Sequence, residues 1–451
     1  MIFYITPILG SLFVCLALIF SAARLPWLSR RNDLRAIQSS HIKQVSRLGG
    51  VGIILGAVLT IPLLPPEARH LAILLFLSVL PIFGAGLVED LGYGVSPKGR
   101  LLAAALSSVL AIGLTGTWIR SAGVPGIDAA LGLLPLGLAL TVLWTSGLCH
   151  ATNLIDGMNG LAASFCTLAA LGLAALAHGA GDLAMARIAL LMVFAILGFL
   201  ALNWPRGHIF LGDAGAYSLG HLLSWIGIMI AWRNPDVAGA AVALVFFWPI
   251  ADTLFAIYRR RKAGKRFDQP DRMHVHQIVM RWLEIAGLTR RRRYISNPLT
   301  TVVLAPFMAL PMLAAIVLAA HGLEALLAFA VFGAGFVTIY ALGAAWARSR
   351  RNPVNVIRPA QIVPVGEPLA PAPVPGADTA CLVLQPTPDI RLIRRSRTAH
   401  WQAFVQGPHG NWHKLEQVFP SSDRAFRNAR RVRFRGRIGG TPQYRMFSQS
   451  A

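Results

Sequence analysis

Three short polar islands interrupt an otherwise apolar chain: Asn153-Leu-Ile-Asp-Gly-Met-Asn-Gly160, Phe210-Leu-Gly-Asp-Ala-Gly215 and Asp271-Arg-Met-His-Val-His276. Carboxylates, amides and imidazoles are costly in a bilayer, and an ionised Asp at its centre costs roughly 2.5–3.5 kcal/mol on insertion scales. Several such groups beside glycines, at the ends of apolar stretches, point to a site at a membrane face that handles a charged phosphate compound.

Asn153, Asp156 and Asn159 recur at every third position, so a continuing helix would set them on one edge, with Gly157 and Gly160 leaving room beside it. Such an edge can bind a metal, a ribose or a base; a helix-packing stripe of small and polar residues is the competing reading. Asp213, between Gly212 and Ala214-Gly215, stands just before an apolar span, where it can cap the helix or hold a metal beside phosphate. Glu89 and Asp90 close another span and are followed by Lys98 and Arg100. Adjacent carboxylates suit Mg²⁺, which takes one or two of them with waters and phosphate oxygens and needs no His or Cys. Neutralisation of a helix-end pair by Lys98 or Arg100 is the alternative.

Loop 24–48 contributes His41, Lys43, Ser46 and Arg47 ahead of Gly49-Gly50, where the missing Cβ atoms let backbones approach. Alone, it reads as a positively charged loop. Asp252 precedes Arg259 by seven residues, roughly 10 Å into its span at about 1.5 Å per residue. An intramembrane carboxylate is a candidate site residue, and a structural hydrogen bond to Thr253 or to a neighbouring span explains it equally well. In an extended segment His274 and His276 share a face, with Asp271 and Arg272 upstream. Hydrogen bonds to phosphate or sugar suit this pair better than metal ligation, because no cysteine joins them.

The elements that must position these groups are membrane helices. At 55% hydrophobic and 14% charged residues, with a mean hydropathy of +0.57, a chain of 451 residues is too apolar to be soluble. We expect an all-α fold, a polytopic membrane bundle with about eleven spans near 2–23, 49–65, 70–88, 101–119, 131–150, 161–178, 185–202, 216–232, 238–257, 299–320 and 324–346. No Lys or Arg precedes the first span, whereas Arg24, Arg30, Arg31 and Arg35 follow it, and stretch 259–293 holds twelve. The positive-inside rule then puts the N-terminus outside, the C-terminus in the cytoplasm and every island on the cytoplasmic face. The first span reads as an anchor and not a cleaved signal.

Residues 1–346 form the membrane domain, 347–379 a Pro-rich semi-rigid linker and 380–451 a basic tail, either a small domain or a disordered appendage. From Arg391 the tail carries thirteen Lys or Arg against Glu416 and Asp423, which suits an anionic membrane surface or a solvated appendage. Topology and anionic lipid explain the net charge of +23 more simply than nucleic acid does. Cys15, Cys149, Cys166 and Cys381 show no spacing of a disulfide framework or a zinc site.

In this order the islands resemble the polyprenyl-phosphate N-acetylhexosamine 1-phosphate transferases. The resemblance runs from His41 to Gly50, through Glu89-Asp90, Asn153 to Ala162, Phe210 to Gly215 and Pro249-Ile-Ala-Asp-Thr-Leu254, to Asp271 to His276. It implies catalytic carboxylates at Glu89, Asp90, Asp156 and Asp213, with Asp90, Asp156 and Asp213 on Mg²⁺; Mn²⁺ is the other cation it admits. Glu89 would position lipid phosphate. Substrate contacts are implied at Lys43, Asn153, Asn159, Asp252, Arg272, His274 and His276. The last loop is similar to the form that uses a simple UDP-N-acetylhexosamine, without the three consecutive histidines of the pentapeptide translocase.

Three positions depart from the family pattern: Glu89 and Asn159 replace Asp, and Gln277 replaces His. The implied partners are the UDP-sugar, undecaprenyl phosphate and membrane lipid in a bacterial inner membrane, without nucleic acid; a homodimer is compatible. The implied reaction is attack of lipid phosphate on the sugar-linked phosphorus with loss of UMP, directly or through an aspartyl-phosphate. The competing class is a secondary transporter using Asp156, Asp252 and the paired His; a scaffold role for the basic tail is the third reading.

Overall fold

The computed structural model of the chain describes residues 2–25, 45–262, 264, 274–288 and 292–349, with six strands between 381 and 446. His41, Lys43, Asp271, Arg272 and stretch 350–380 lie outside the described residues. The chain divides into two compact units, Met1–Arg348 and Ser349–Ala451.

The first unit is helical throughout, in the order α1 (Ile2–Arg24), α2 (Gly49–Val58), α3 (Pro66–Ser78), α4 (Leu80–Asp90), α5 (Pro97–Thr115), α6 (Pro125–Leu131), α7 (Leu134–Ile155), α8 (Leu161–Gly179), α9 (Leu183–Asn203), α10 (Gly212–Arg233), α11 (Gly239–Val245), α12 (Phe247–Lys262), α13 (Val275–Leu283), α14 (Arg293–Val317) and α15 (Gly322–Ser349). Among the described residues, eight helices are long and apolar enough to cross a membrane, and two bent pairs raise the number to ten. The stretches expected at 70–88 and 238–257 are these pairs. Between α3 and α4 the axis turns by 49°, where Pro81 removes a backbone donor near the start of α4; between α11 and α12 it turns by 77°, with Pro249 in the first turn of α12. The stretch expected at 49–65 is a shorter apolar helix, Gly49–Leu63. This is a multi-pass helical bundle.

Helix α10 is its axis, buried from Gly212 to Ile230 and packed against α7, α4, α2 and α8. Small residues permit that. A Cβ at Gly220 would press on the backbone of Cys149 in α7, and one at Gly86 on the backbone of Ala214. The far end of α10 is tied by Arg233, whose guanidinium donates to Asp182 and Glu67 at 2.6 Å each, while the Asp182 side chain also caps α9 through the Met185 N–H.

In the second unit β1 (Cys381–Thr387), β2 (Ile390–Arg395), β3 (Trp401–Gln406) and β4 (Trp412–Phe419) form an antiparallel sheet in sequence order, and β5 (Val432–Ile438) pairs with β6 (Thr441–Met446). The all-α expectation therefore holds for the first unit and does not extend to the second.

Candidate active site

The end of the bundle opposite Arg233 gathers residues far apart in sequence. Backbone 45–50 runs along 209–211, with Phe210 N–H donating to Ser46 O and the Gly49 and Gly50 N–H groups donating to Phe210 O and Leu211 O, all at 2.9 Å. Gly50 is required because any Cβ there would enter the backbone of Gly215. Gly212 then turns the chain into α10 with φ +76°, and a side chain there would collide with the Arg47 carbonyl and the Asp90 carboxylate.

The first N–H groups of a helix lack partners within it. Here two are filled from α4: Asp213 N–H donates to Asp90 Oδ1 at 2.9 Å, and Ala214 N–H donates to Asp90 Oδ2 at 2.8 Å. Asp90, 2% exposed, thus caps α10 from the end of α4. The Asp213 side chain is freed from capping and faces a ring of donors. Arg100 NH1 lies 3.1 Å from its Oδ2, Asn153 Nδ2 donates to Oδ1 at 3.1 Å, and Arg47 NH2 lies 3.4 Å from Oδ1 and its Nε 3.5 Å from Asp90. Glu89 accepts from the Val95 N–H and so braces the turn after α4.

Helix α7 stops at Ile155, and Asp156 leaves helical geometry at φ −77°, ψ 56°. The single edge expected of Asn153, Asp156 and Asn159 is therefore split. Asn153 and Asp156 reach the start of α10, whereas Asn159 turns away. Its Nδ2 donates to Pro205 O at 2.9 Å, its backbone N–H to Asn297 at 2.8 Å, and its carbonyl accepts from Thr301 at 2.7 Å. These bonds tie the 156–160 turn to α14 and to the loop before α10. Although its surface is only partly covered, packing desolvates the Asp156 carboxyl and pushes it up to about 7; the Asp213 charge adds to this and Arg47 opposes it.

Asp252, 2% exposed, takes His274 Nδ1 at 2.7 Å and the Val275 N–H at 3.3 Å, which fixes the entry to α13. The His274 and His276 rings lie 5.6 Å apart and nearly parallel. His276 rests on the turn after Asp156, because a Cβ on Gly157 would sit 2.7 Å from its Nε2. Burial holds this imidazole down at about 4, against the pull of Asp252 and with the neighbouring His274 lowering it further.

Among the described residues no three His, Cys, Asp or Glu side chains group as ligands for a metal. The three carboxylates expected to share a cation differ in what they do, since each Asp90 oxygen already accepts an α10 N–H. Asp156 and Asp213 are hard oxygen donors beside two arginines. That set fits Mg²⁺, which binds through one or two carboxylates and fills its other positions with water and phosphate oxygens.

Arg47 and Arg100 were the residues of this cluster least visible in sequence. Arg100 reads there as the neutraliser of Glu89-Asp90, yet its ion pair is with Asp213, 113 positions away.

A model of glycosyl transferase family 4 matches residues 72–231. The chain is 30% identical over 254 residues to a probable undecaprenyl-phosphate N-acetylglucosaminyl 1-phosphate transferase of Bacillus subtilis, covering 56% of this chain and 69% of that protein. It is 32% identical over 286 residues to a decaprenyl-phosphate N-acetylglucosaminephosphotransferase of Mycobacterium tuberculosis, covering 56% and 68%. To a phospho-N-acetylmuramoyl-pentapeptide-transferase of Staphylococcus aureus it is 26% identical over 263 residues, covering 54% and 80%.

Proposed function

The chain belongs to glycosyl transferase family 4, and on that premise we propose that it transfers a sugar 1-phosphate from a UDP-N-acetylhexosamine to polyprenyl phosphate, releasing UMP. The product is a polyprenyl-diphospho-sugar, the first lipid-linked step of a cell-surface glycan. N-acetylglucosamine is the favoured sugar and undecaprenyl phosphate the favoured acceptor, after the names of the relatives. The observation that carries this reading is the grip of Arg47, Arg100 and Asn153 on Asp213 beside Asp156.

Phosphoryl transfer asks mainly for alignment and charge neutralisation. Arg47 and Arg100 supply fixed positive charge next to Asp213, and both side chains are partly exposed where donor phosphates would lie. When bound by Asp156 and Asp213, Mg²⁺, or Mn²⁺ in its place, would draw off charge developing on the donor diphosphate. The attacking phosphate monoester has a second pKa near 6, so it is mostly ionised at neutral pH and needs little help from a base. Asp90 holds Asp213 in place from behind, and Glu89 shapes the adjoining turn toward lipid phosphate. Asp252 orients His274, and His274 with His276 contacts the sugar. Lys43 and Arg272 complete the expected substrate contacts.

We place the chain in a bacterial inner membrane with this end of the bundle at the cytoplasmic face. The run Arg259-Arg260-Arg261-Lys262 at the end of α12 supports that orientation. Counting each bent pair and Gly49–Leu63 as crossings gives eleven, with the N-terminus outside and the C-terminus inside. A homodimer is compatible. Secondary transport is not favoured, because transporter sites lie near the midplane and this cluster joins helix ends.

The test is UMP release by purified protein given Mg²⁺ and a panel of UDP-N-acetylhexosamines, with and without undecaprenyl phosphate. Release that requires the lipid and is greatest with UDP-N-acetylglucosamine is expected. Release without the lipid, or none from any donor in folded protein, would overturn the proposal. Chelation should abolish release, and Mg²⁺ or Mn²⁺ should restore it.

A further inference from the structure

At the end of the bundle away from Asp213 lies a partly open cavity of about 270 Å³ that the proposed chemistry does not use. Small residues of α10 and α11, Gly227, Ala231, Ala240 and Ala243, leave its walls thin, and Trp118 and Trp232 stand among its lining side chains. Ala231 follows Asp213 by eighteen residues of one helix, roughly 27 Å at about 1.5 Å per residue. A cavity of roughly 150 Å³ with apolar walls stays dry and takes up a benzene-sized guest. This one is larger and suits a length of hydrocarbon chain.

The charge beside it is Arg120. Its guanidinium lies 4.0 Å from the Trp232 ring centre and donates to the Trp232 carbonyl at 3.1 Å, and among the described residues no carboxylate pairs with it. Asp128, the acid nearest in sequence, is already held by the Ser121 hydroxyl at 3.0 Å and the Ala122 N–H at 2.6 Å. Trp and Arg flanking the ends of spans, as Trp232 does at the end of α10 and Arg120 in the connection after α5, mark the level where lipid headgroups sit. We propose that the cavity binds an acyl chain of an anionic phospholipid whose phosphate meets Arg120. The polyprenyl acceptor offers similar chemistry, but its phosphate must reach the opposite end of the bundle to react.

Full-length protein, stripped of lipid in detergent and returned to phosphatidylcholine nanodiscs with or without phosphatidylglycerol, tests this by native mass spectrometry of retained lipid. One phosphatidylglycerol per chain, retained in preference to phosphatidylcholine, is expected. Ala243→Phe should fill the hollow and abolish retention, with Ala231→Met as a second filling variant from the α10 wall. Arg120→Gln should keep the chain contact and lower the preference for phosphatidylglycerol roughly fivefold. UMP release by each variant reports that it is folded. Equal retention by both filled variants, or no discrimination between the two lipids by the unaltered protein, would overturn the proposal. So would displacement of phosphatidylglycerol by undecaprenyl phosphate, which would give the hollow to the far part of the acceptor tail.

Discussion

Asp90 and Asp213 stand in adjoining layers of one site, and substitution separates their roles. Asp90→Asn keeps one acceptor oxygen for two N–H groups, so it should cost about 1–2 kcal/mol of stability, as loss of a helix cap does, in addition to turnover. Asp213→Asn should cut turnover about 10²–10³-fold, the scale of losing one preorganised charge contact, with a smaller loss of stability. Thermal unfolding and UMP release measured on both proteins check this; equal unfolding losses would remove the cap assignment. His276 gives a pH signature. The unfolded chain takes up a proton near pH 6.5, which the folded imidazole resists until about pH 4. The unfolded state therefore binds more protons in that window, so stability is full above it and falls as the pH drops through it. His276→Gln should flatten this slope in unfolding midpoints taken between pH 7 and 4. The carboxylates and imidazoles were legible in sequence because they are costly in an apolar chain. Asn159 stood out for the same reason; in the fold its side-chain Nδ2 donates to Pro205 O, while its backbone N–H and carbonyl bond to Asn297 and Thr301.

Helices α2, α4, α5, α7 and α10 each bring one end to the cluster, and the start of α10 sets the tolerance. Gly212→Ala meets a left-handed backbone, worth about 1–2 kcal/mol by itself, and the Arg47 carbonyl besides. It should lower the unfolding midpoint and most of the activity together. Gly147→Ala in α7, where an added Cβ meets nothing within 4 Å, should be neutral or gain up to about 1 kcal/mol. A matched fall in both would show that α10 is not specially constrained at Gly212. Spans were readable from hydropathy. Their bends near Pro81 and Pro249, and the end of α7 at Ile155, were not, because a three-residue spacing of polar groups continues through a turn as readily as through a helix. The partners of Asp213 were hidden too, since Arg47 lies 166 positions away and nothing local relates the two.

All described site residues belong to the unit Met1–Arg348, and the strands to the other. A chain ending at Arg348 should therefore keep lipid-dependent UMP release within about twofold in detergent, with salt and substrate held fixed; a loss beyond tenfold would make the second unit part of catalysis. Composition revealed the membrane class; the strands between 381 and 446 were not anticipated, because short apolar runs among many arginines satisfy no single period. Asp90 waits for partners 123 positions later in the chain. During synthesis, then, the acidic end of α4 enters the bilayer surface before the helix that neutralises its lone pairs has been made. The same contact that builds the site makes it late: a half-inserted chain has its carboxylates but no seat for them, and the start of α10 must be made before Asp90 has the N–H groups it caps.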